Sequence, residues 1–126
     1  MPRVLVVDDD PQVLMLLRVN LELEGYDVTP AGGGDEALEL VHEVDPEVVV
    51  CDLMMPGTDG MTVLRRLRAD PDTKDIPFVV VSAKAQRSDI KQLLEMGADR
   101  YITKPFDPGD LVEALGDVLR KTKRKR

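Results

Sequence analysis

The stretch EVVVCD, Glu47 to Asp52, decides how the chain folds. Four consecutive apolar residues, three of them β-branched valines, leave no polar face, so this strand has to be covered on both sides. Strands of that kind belong to parallel sheets, whose crossover connections supply the covering helices. The run then stops abruptly on a carboxylate. Working outward, further short β-rich runs recur at VLVV (4–7), YDVT (26–29), FVVVS (78–82) and RYIT (100–103).

Segments of helical period separate these runs. The first extends from Pro11 to Glu24, with Val13, Leu14, Leu17 and Leu21 on one face and Gly25 as a stop signal. The second has Asp35 as a candidate N-cap, followed by Ala37, Leu38, Val41 and Val44. The third carries Val63, Leu64 and Leu67; the fourth carries Ile90, Leu93 and Leu94 and stops at Gly97. Leu111, Ala114, Leu115, Val118 and Leu119 form the stripe of the fifth. Five β-α units in series predict an α/β, flavodoxin-like (βα)5 fold: a five-stranded parallel sheet in the order 2-1-3-4-5 with helices on both faces.

The chain has 126 residues, 43% of them hydrophobic and 33% charged, which suits a single soluble domain with a substantial core. Its apolar runs are too short to span a bilayer, and Met1 leads into VLVV without a signal-peptide pattern. The lone cysteine, Cys51, allows no internal disulfide and reads as a buried small residue. These features predict a cytoplasmic protein with no membrane contact. Charge is unevenly spread: six of the seventeen basic groups lie in the last seven residues, which leaves eleven against 24 acids before Arg120. An acidic body argues against direct nucleic-acid binding by the domain. Residues 1–120 are read as that domain, and 121–126 as a basic C-terminal tail or linker stub.

In open parallel sheets, sites form beyond the carboxyl ends of the strands. The first strand is followed by Asp8-Asp9-Asp10, the third by Asp52 and the fifth by Lys104-Pro105, while the fourth ends on Ser82. Taken singly, each has an ordinary role. Asp10 before Pro11 is a helix N-cap, Ser82 a strand-end hydroxyl, Lys104 a surface lysine, and His42 a structural residue far from these ends. Together they form a constellation. Oxygen ligands without His or Cys suit Mg²⁺ or Ca²⁺ better than zinc, and hydroxyl and ammonium donors beside them suit a phosphoryl group. A carboxylate can itself be the nucleophile, so the pattern reads as Mg²⁺-dependent phosphoryl transfer to an aspartate.

Over residues 3–120 the chain resembles the receiver domain of two-component response regulators. The resemblance rests on Asp8-Asp9 after VLVV, on VVVCDLMMPGTDG (48–60), VVVSAK (79–84) and GADRYITKPF (97–106), in this order and spacing. It implies a signalling domain that is not an enzyme acting on other substrates. A sensor histidine kinase or phosphotransfer protein would phosphorylate Asp52. Asp9 directly, Asp8 through a water, Asp52 and the Met54 carbonyl would bind Mg²⁺, with Mn²⁺ as an alternative. Ser82 and Lys104 would hold phosphoryl oxygens. Ser82 and Tyr101 would form the switch pair, and Pro105 would follow a cis peptide. Pro56, Gly57 and Gly60 fit the tight loop after the third strand. The face of the fourth helix, fifth strand and fifth helix would engage a downstream protein or output domain. Two departures bear on output. Ala114 stands near the place where many relatives carry an arginine for a charge-paired dimer, and Lys84 lies where the family varies its dephosphorylation rate.

The residue pattern leaves other classes to weigh. Phosphatases of the haloacid dehalogenase type place an aspartate nucleophile after the first strand in a D-x-D pattern, which Asp8-Asp9-Asp10 satisfies, but they need a cap or a further acidic motif. A flavin-binding domain fits less well, since the first β-α turn is acidic and aromatic content is 3%. A pure interaction module would have no use for the complete set of acids, hydroxyl and lysine.

Overall fold

The computed structural model describes residues 1–83 and 87–125. Five strands alternate with five helices: β1 (Arg3–Val7), α1 (Pro11–Leu23), β2 (Asp27–Ala31), α2 (Gly34–Val44), β3 (Val48–Cys51), α3 (Gly60–Ala69), β4 (Phe78–Ser82), α4 (Arg87–Glu95), β5 (Arg100–Thr103) and α5 (Pro108–Lys125). All pairings are parallel, in the order β2-β1-β3-β4-β5, as the alternation predicts.

Side-chain alternation along each strand builds two cores. Leu5, Val7, Val49, Cys51, Phe78 and Val80 meet Ala37 and Val41 of α2, Val63, Leu64 and Leu67 of α3, and Leu93 of α4. Val4, Val6, Val48, Val50, Val79 and Val81 meet Leu17 and Leu21 of α1 and Leu111, Leu115 and Val118 of α5. Cys51 is a free, buried thiol, as expected; burial, and then the charges of Asp52, Asp8 and Asp59, push its pKa well up, so it stays protonated. His42 is a surface residue whose Nε2 faces Asp70 at 3.4 Å.

Helix ends follow local chemistry. Asp10 caps α1, accepting from the Gln12 N–H, with Pro11 at the first helical position. Gly25 and Gly97, at φ 92° and 108°, take left-handed conformations just beyond α1 and α4. Asp35 is not the cap of α2, contrary to expectation: Gly33 is, and the helix starts at Gly34. A Cβ on Gly34 would sit 2.3 Å from the Thr58 carbonyl oxygen, so the close approach of the β3–α3 loop fixes where the helix begins. Asp35 lies in its first turn and accepts from the Thr58 hydroxyl. At the other end of the chain, α5 continues to Lys125.

Candidate functional site at the carboxyl edge of the sheet

Strand register brings the polar residues together. Val7 pairs with Cys51, so Asp8 and Asp52 leave β1 and β3 side by side. Ser82 pairs with Thr103, so Lys104 emerges beside the end of β4, its N–H bonded to the Ser82 carbonyl. Backbone ladders carry this order past the strands: Asp8 N–H donates to Ala31 O and Asp52 N–H to Val7 O. At the start of α3, a Cβ on Gly60 would lie 2.3 Å from the Asp52 carbonyl oxygen. Only glycine lets the helix close this tightly onto the end of β3.

Two of the carboxylates are buried, Asp8 at 1% and Asp52 at 7% exposure, and Asp9 is exposed. One carboxylate oxygen from each of Asp8, Asp9 and Asp52 lies within 4.8 Å of the others. Asp8 is held on both sides: Oδ1 accepts from the Asp10 N–H at 2.9 Å, and Oδ2 from the Lys104 ammonium at 2.8 Å. The same ammonium stands 3.6 Å from Asp52 Oδ2. One lysine thus serves two buried anions and favours Asp8.

The electrostatics follow from that asymmetry. Burial raises the Asp52 pKa and the Asp8 charge raises it further; Lys104 and the N–H groups of Met54 and Leu53 oppose the rise without cancelling it. At Lys104, burial acts to lower the pKa, but the hydrogen bond and charge of Asp8, with Asp52 behind them, leave it raised. An all-oxygen donor set carrying excess negative charge, with two of its three carboxylates buried, fits a hard divalent cation.

Ser82 is buried at the end of β4. The Tyr101 hydroxyl is shielded from water beside it, near enough to sense Ser82 but without a well-formed hydrogen bond. The Lys104–Pro105 peptide is cis. The structure therefore brings Asp8, Asp9, Asp52 and Lys104 together, with Ser82 and Tyr101 behind them. Met54, 60% exposed, belongs to the loop that follows Asp52. Lys84 lies outside the described residues, and the Ala114 methyl is buried, so it offers no group to the surface of α5. Sequence reasoning missed Asp59, whose side chain caps α3 by accepting from the Thr62 N–H. Its position immediately before Gly60 and a helical period was the available signal.

A doubly wound sheet with a carboxylate cluster and a lysine at its carboxyl edge is the layout that the receiver-domain resemblance implies, and the comparisons identify the family. A family model described as the response regulator receiver domain matches residues 4–116. The chain belongs to that family, the receiver domains of two-component signalling. Among curated proteins it is similar to the DNA-binding dual master transcriptional regulator RpaA of Synechocystis sp., at 43% identity over 98% of this chain and 52% of RpaA. It is also similar to the DNA-binding response regulator MtrA of Mycolicibacterium smegmatis, at 44% identity over 94% of this chain and 51% of MtrA. The chain thus spans about half the length of these curated relatives. Among solved structures, the Francisella response regulator 1452 receiver domain superposes with a TM-score of 0.90 at 34% identity, covering 97% of this chain and 99% of that one. A CheY-like receiver domain protein from Methanospirillum hungatei gives 0.92 at 28% identity, covering 100% and 99%. Among the described residues, no helix is long and apolar enough to cross a membrane.

Proposed function

We propose that this domain accepts a phosphoryl group on Asp52 from the phosphohistidine of a sensor histidine kinase or phosphotransfer protein, and that the modification switches its conformation. The observation that carries the reading is the crowding of Asp52: a buried carboxylate beside a second buried carboxylate, with a shared lysine that sits closer to the other one.

The Asp52 carboxylate oxygen attacks phosphorus as the bond from phosphorus to the histidine nitrogen breaks, leaving imidazole and an aspartyl phosphate. Asp8, Asp9 and Asp52, with the Met54 carbonyl, would hold Mg²⁺ or Mn²⁺, which when bound neutralises charge on the phosphoryl oxygens. The Lys104 ammonium, already poised between Asp8 and Asp52, moves to pair with a phosphoryl oxygen. The Ser82 hydroxyl donates to another, and Tyr101 turns into the space behind it. The domain acts on its own acyl phosphate and on no other substrate.

Phosphorylation shifts the population between two arrangements, and α4, β5 and α5 present the result to a downstream protein or output domain. DNA-binding regulators such as RpaA and MtrA are consistent with an output domain in a longer chain, for which residues 121–126 beyond the receiver body 1–120 would start the linker. The reading places the domain in the cytoplasm, away from membranes and without direct contact to nucleic acid. It is tested by incubation with acetyl phosphate or phosphoramidate and Mg²⁺, followed by mass mapping. The wild-type protein gains one phosphoryl group at Asp52 and Asp52→Asn gains none; full labelling of the variant would sink the proposal.

A further inference from the structure

Two interior polar atoms have no hydrogen-bond partner among the described residues: the Tyr101 hydroxyl on β5 and Oδ2 of Asp89 on α4. Buried polar groups are ordinarily paired, so two orphans in neighbouring elements call for a cause. An acid in the first turn of a helix has an ordinary use, to complement the helix dipole. That role keeps the carboxylate at the surface, whereas Asp89 Oδ2 is shielded from water.

Position relates the two atoms. Asp89 precedes Leu93 by one turn, so both lie on the same face of α4. Leu93 is buried in the core cluster against which Tyr101 packs. Asp89 also lines a cavity of about 70 Å³ with Leu53, Met54, Asp59 and Gln92, against the loop that follows Asp52. Asp89 thus borders the acceptor loop on one side and shares its helix face with Leu93, a member of the cluster that Tyr101 packs against. The electrostatics agree: burial raises the Tyr101 phenol pKa, Ser82 opposes the rise, and the charge of Asp89, ahead of that of Asp52, adds to it.

We propose that Asp89 is the second acceptor for the Tyr101 hydroxyl, and so a positioning residue of the switch. When Ser82 turns its hydroxyl to a phosphoryl oxygen on Asp52, Tyr101 donates to Asp89 Oδ2 and fastens α4 to β5. The inference rests on the proposed phosphorylation of Asp52 and adds the point at which the signal enters α4. In the arrangement described here the Tyr101 hydroxyl and Asp89 Oδ2 have no hydrogen-bond partner among the described residues. In the phosphorylated one they satisfy each other, so the switched state gains a charge-assisted hydrogen bond. A carboxylate fits the role because it offers a strong acceptor without a proton to place.

The test is a double-mutant cycle on the binding of beryllofluoride with Mg²⁺, followed by fluorine NMR of the bound ion. Asp89→Ala and Tyr101→Phe should each raise the beryllofluoride midpoint about fivefold, the worth of one such hydrogen bond. The double variant should be no worse than either single one. Asp89→Asn keeps an acceptor oxygen and should restore most of the affinity, which also separates a lost contact from a damaged helix. Full additivity in the double variant, or an unchanged midpoint in Asp89→Ala, would overturn the inference. Absence of a bound fluorine signal in the wild-type protein would instead count against the phosphoacceptor reading itself.

Discussion

The two edges of the sheet treat charge in opposite ways. At the amino edge, where the strands begin, charged groups are paired and partly solvated. Arg68 donates to the carbonyls of Lys74, Ile76 and Gly97 and reaches Asp99, which in turn accepts from the Phe78 N–H. Arg3 ties the Val44 and Asp45 carbonyls to the start of β1 and faces Glu47. At the carboxyl edge, two buried carboxylates share one lysine. The first edge closes the fold. The second keeps an excess of negative charge that a cation and a phosphoryl group can exploit, and it is less stable for doing so.

Removal of a charged group should therefore act with opposite sign at the two edges. Arg68→Ala should have the largest effect, a loss of about 3 kcal/mol in urea unfolding, because it takes the donor from the part-buried Ile76 and Gly97 carbonyls; the Lys74 carbonyl and Asp99 are solvated and add little. Acetyl phosphate labelling of the folded fraction should survive. A loss below about 0.5 kcal/mol would show that the amino edge is not the stabilising one. Gly60→Ala should cost about 2 kcal/mol, since its Cβ would collide with the Asp52 carbonyl, and should slow labelling as the acceptor is displaced.

Asp52→Asn should do the reverse and stabilise the metal-free protein by about 1 kcal/mol, a few degrees in Tm, by removing a buried like charge. The sign carries into pH. A folded-state pKa raised above its unfolded value means that the stability associated with Asp52 is complete below the unfolded pKa and is lost as pH rises through the folded one. In EDTA, wild-type Tm should fall across that window relative to Asp52→Asn, and parallel profiles would contradict the assignment. The smallest effect belongs to Arg3→Ala, below about 1 kcal/mol by chemical unfolding, because its ion pairs with Asp45 and Glu47 are long and solvated and the Asp45 carbonyl that takes most of its hydrogen bonds is open to water.

The carboxyl edge was legible in the sequence and the amino edge was not, for a physical reason. Valine runs covered on both faces mark parallel strands, and parallel order then dictates that Asp8, Asp52, Ser82 and Lys104 converge. The Asp10–Pro11 pair likewise carries its cap geometry in two adjacent residues. Arg68 works through backbone carbonyls up to 29 residues away, which no side-chain pattern records. The Asp35 reading failed for the same reason: the start of α2 is set by the packing of Gly34 against Thr58, a tertiary contact rather than a local preference. In sequence Asp89 is an ordinary first-turn acid, and the shielding of its Oδ2 from water is visible only in three dimensions.

The contrast between the edges comes down to whether the carboxyl edge is a cation site short of positive charge. Thermal unfolding of the wild-type protein and Asp52→Asn, each with EDTA and with millimolar Mg²⁺, measures this directly. A ligand that binds only the folded state raises Tm, and it should do so for the wild-type protein and far less for the variant. Equal Tm values for the wild-type protein in EDTA and in Mg²⁺ would contradict the account.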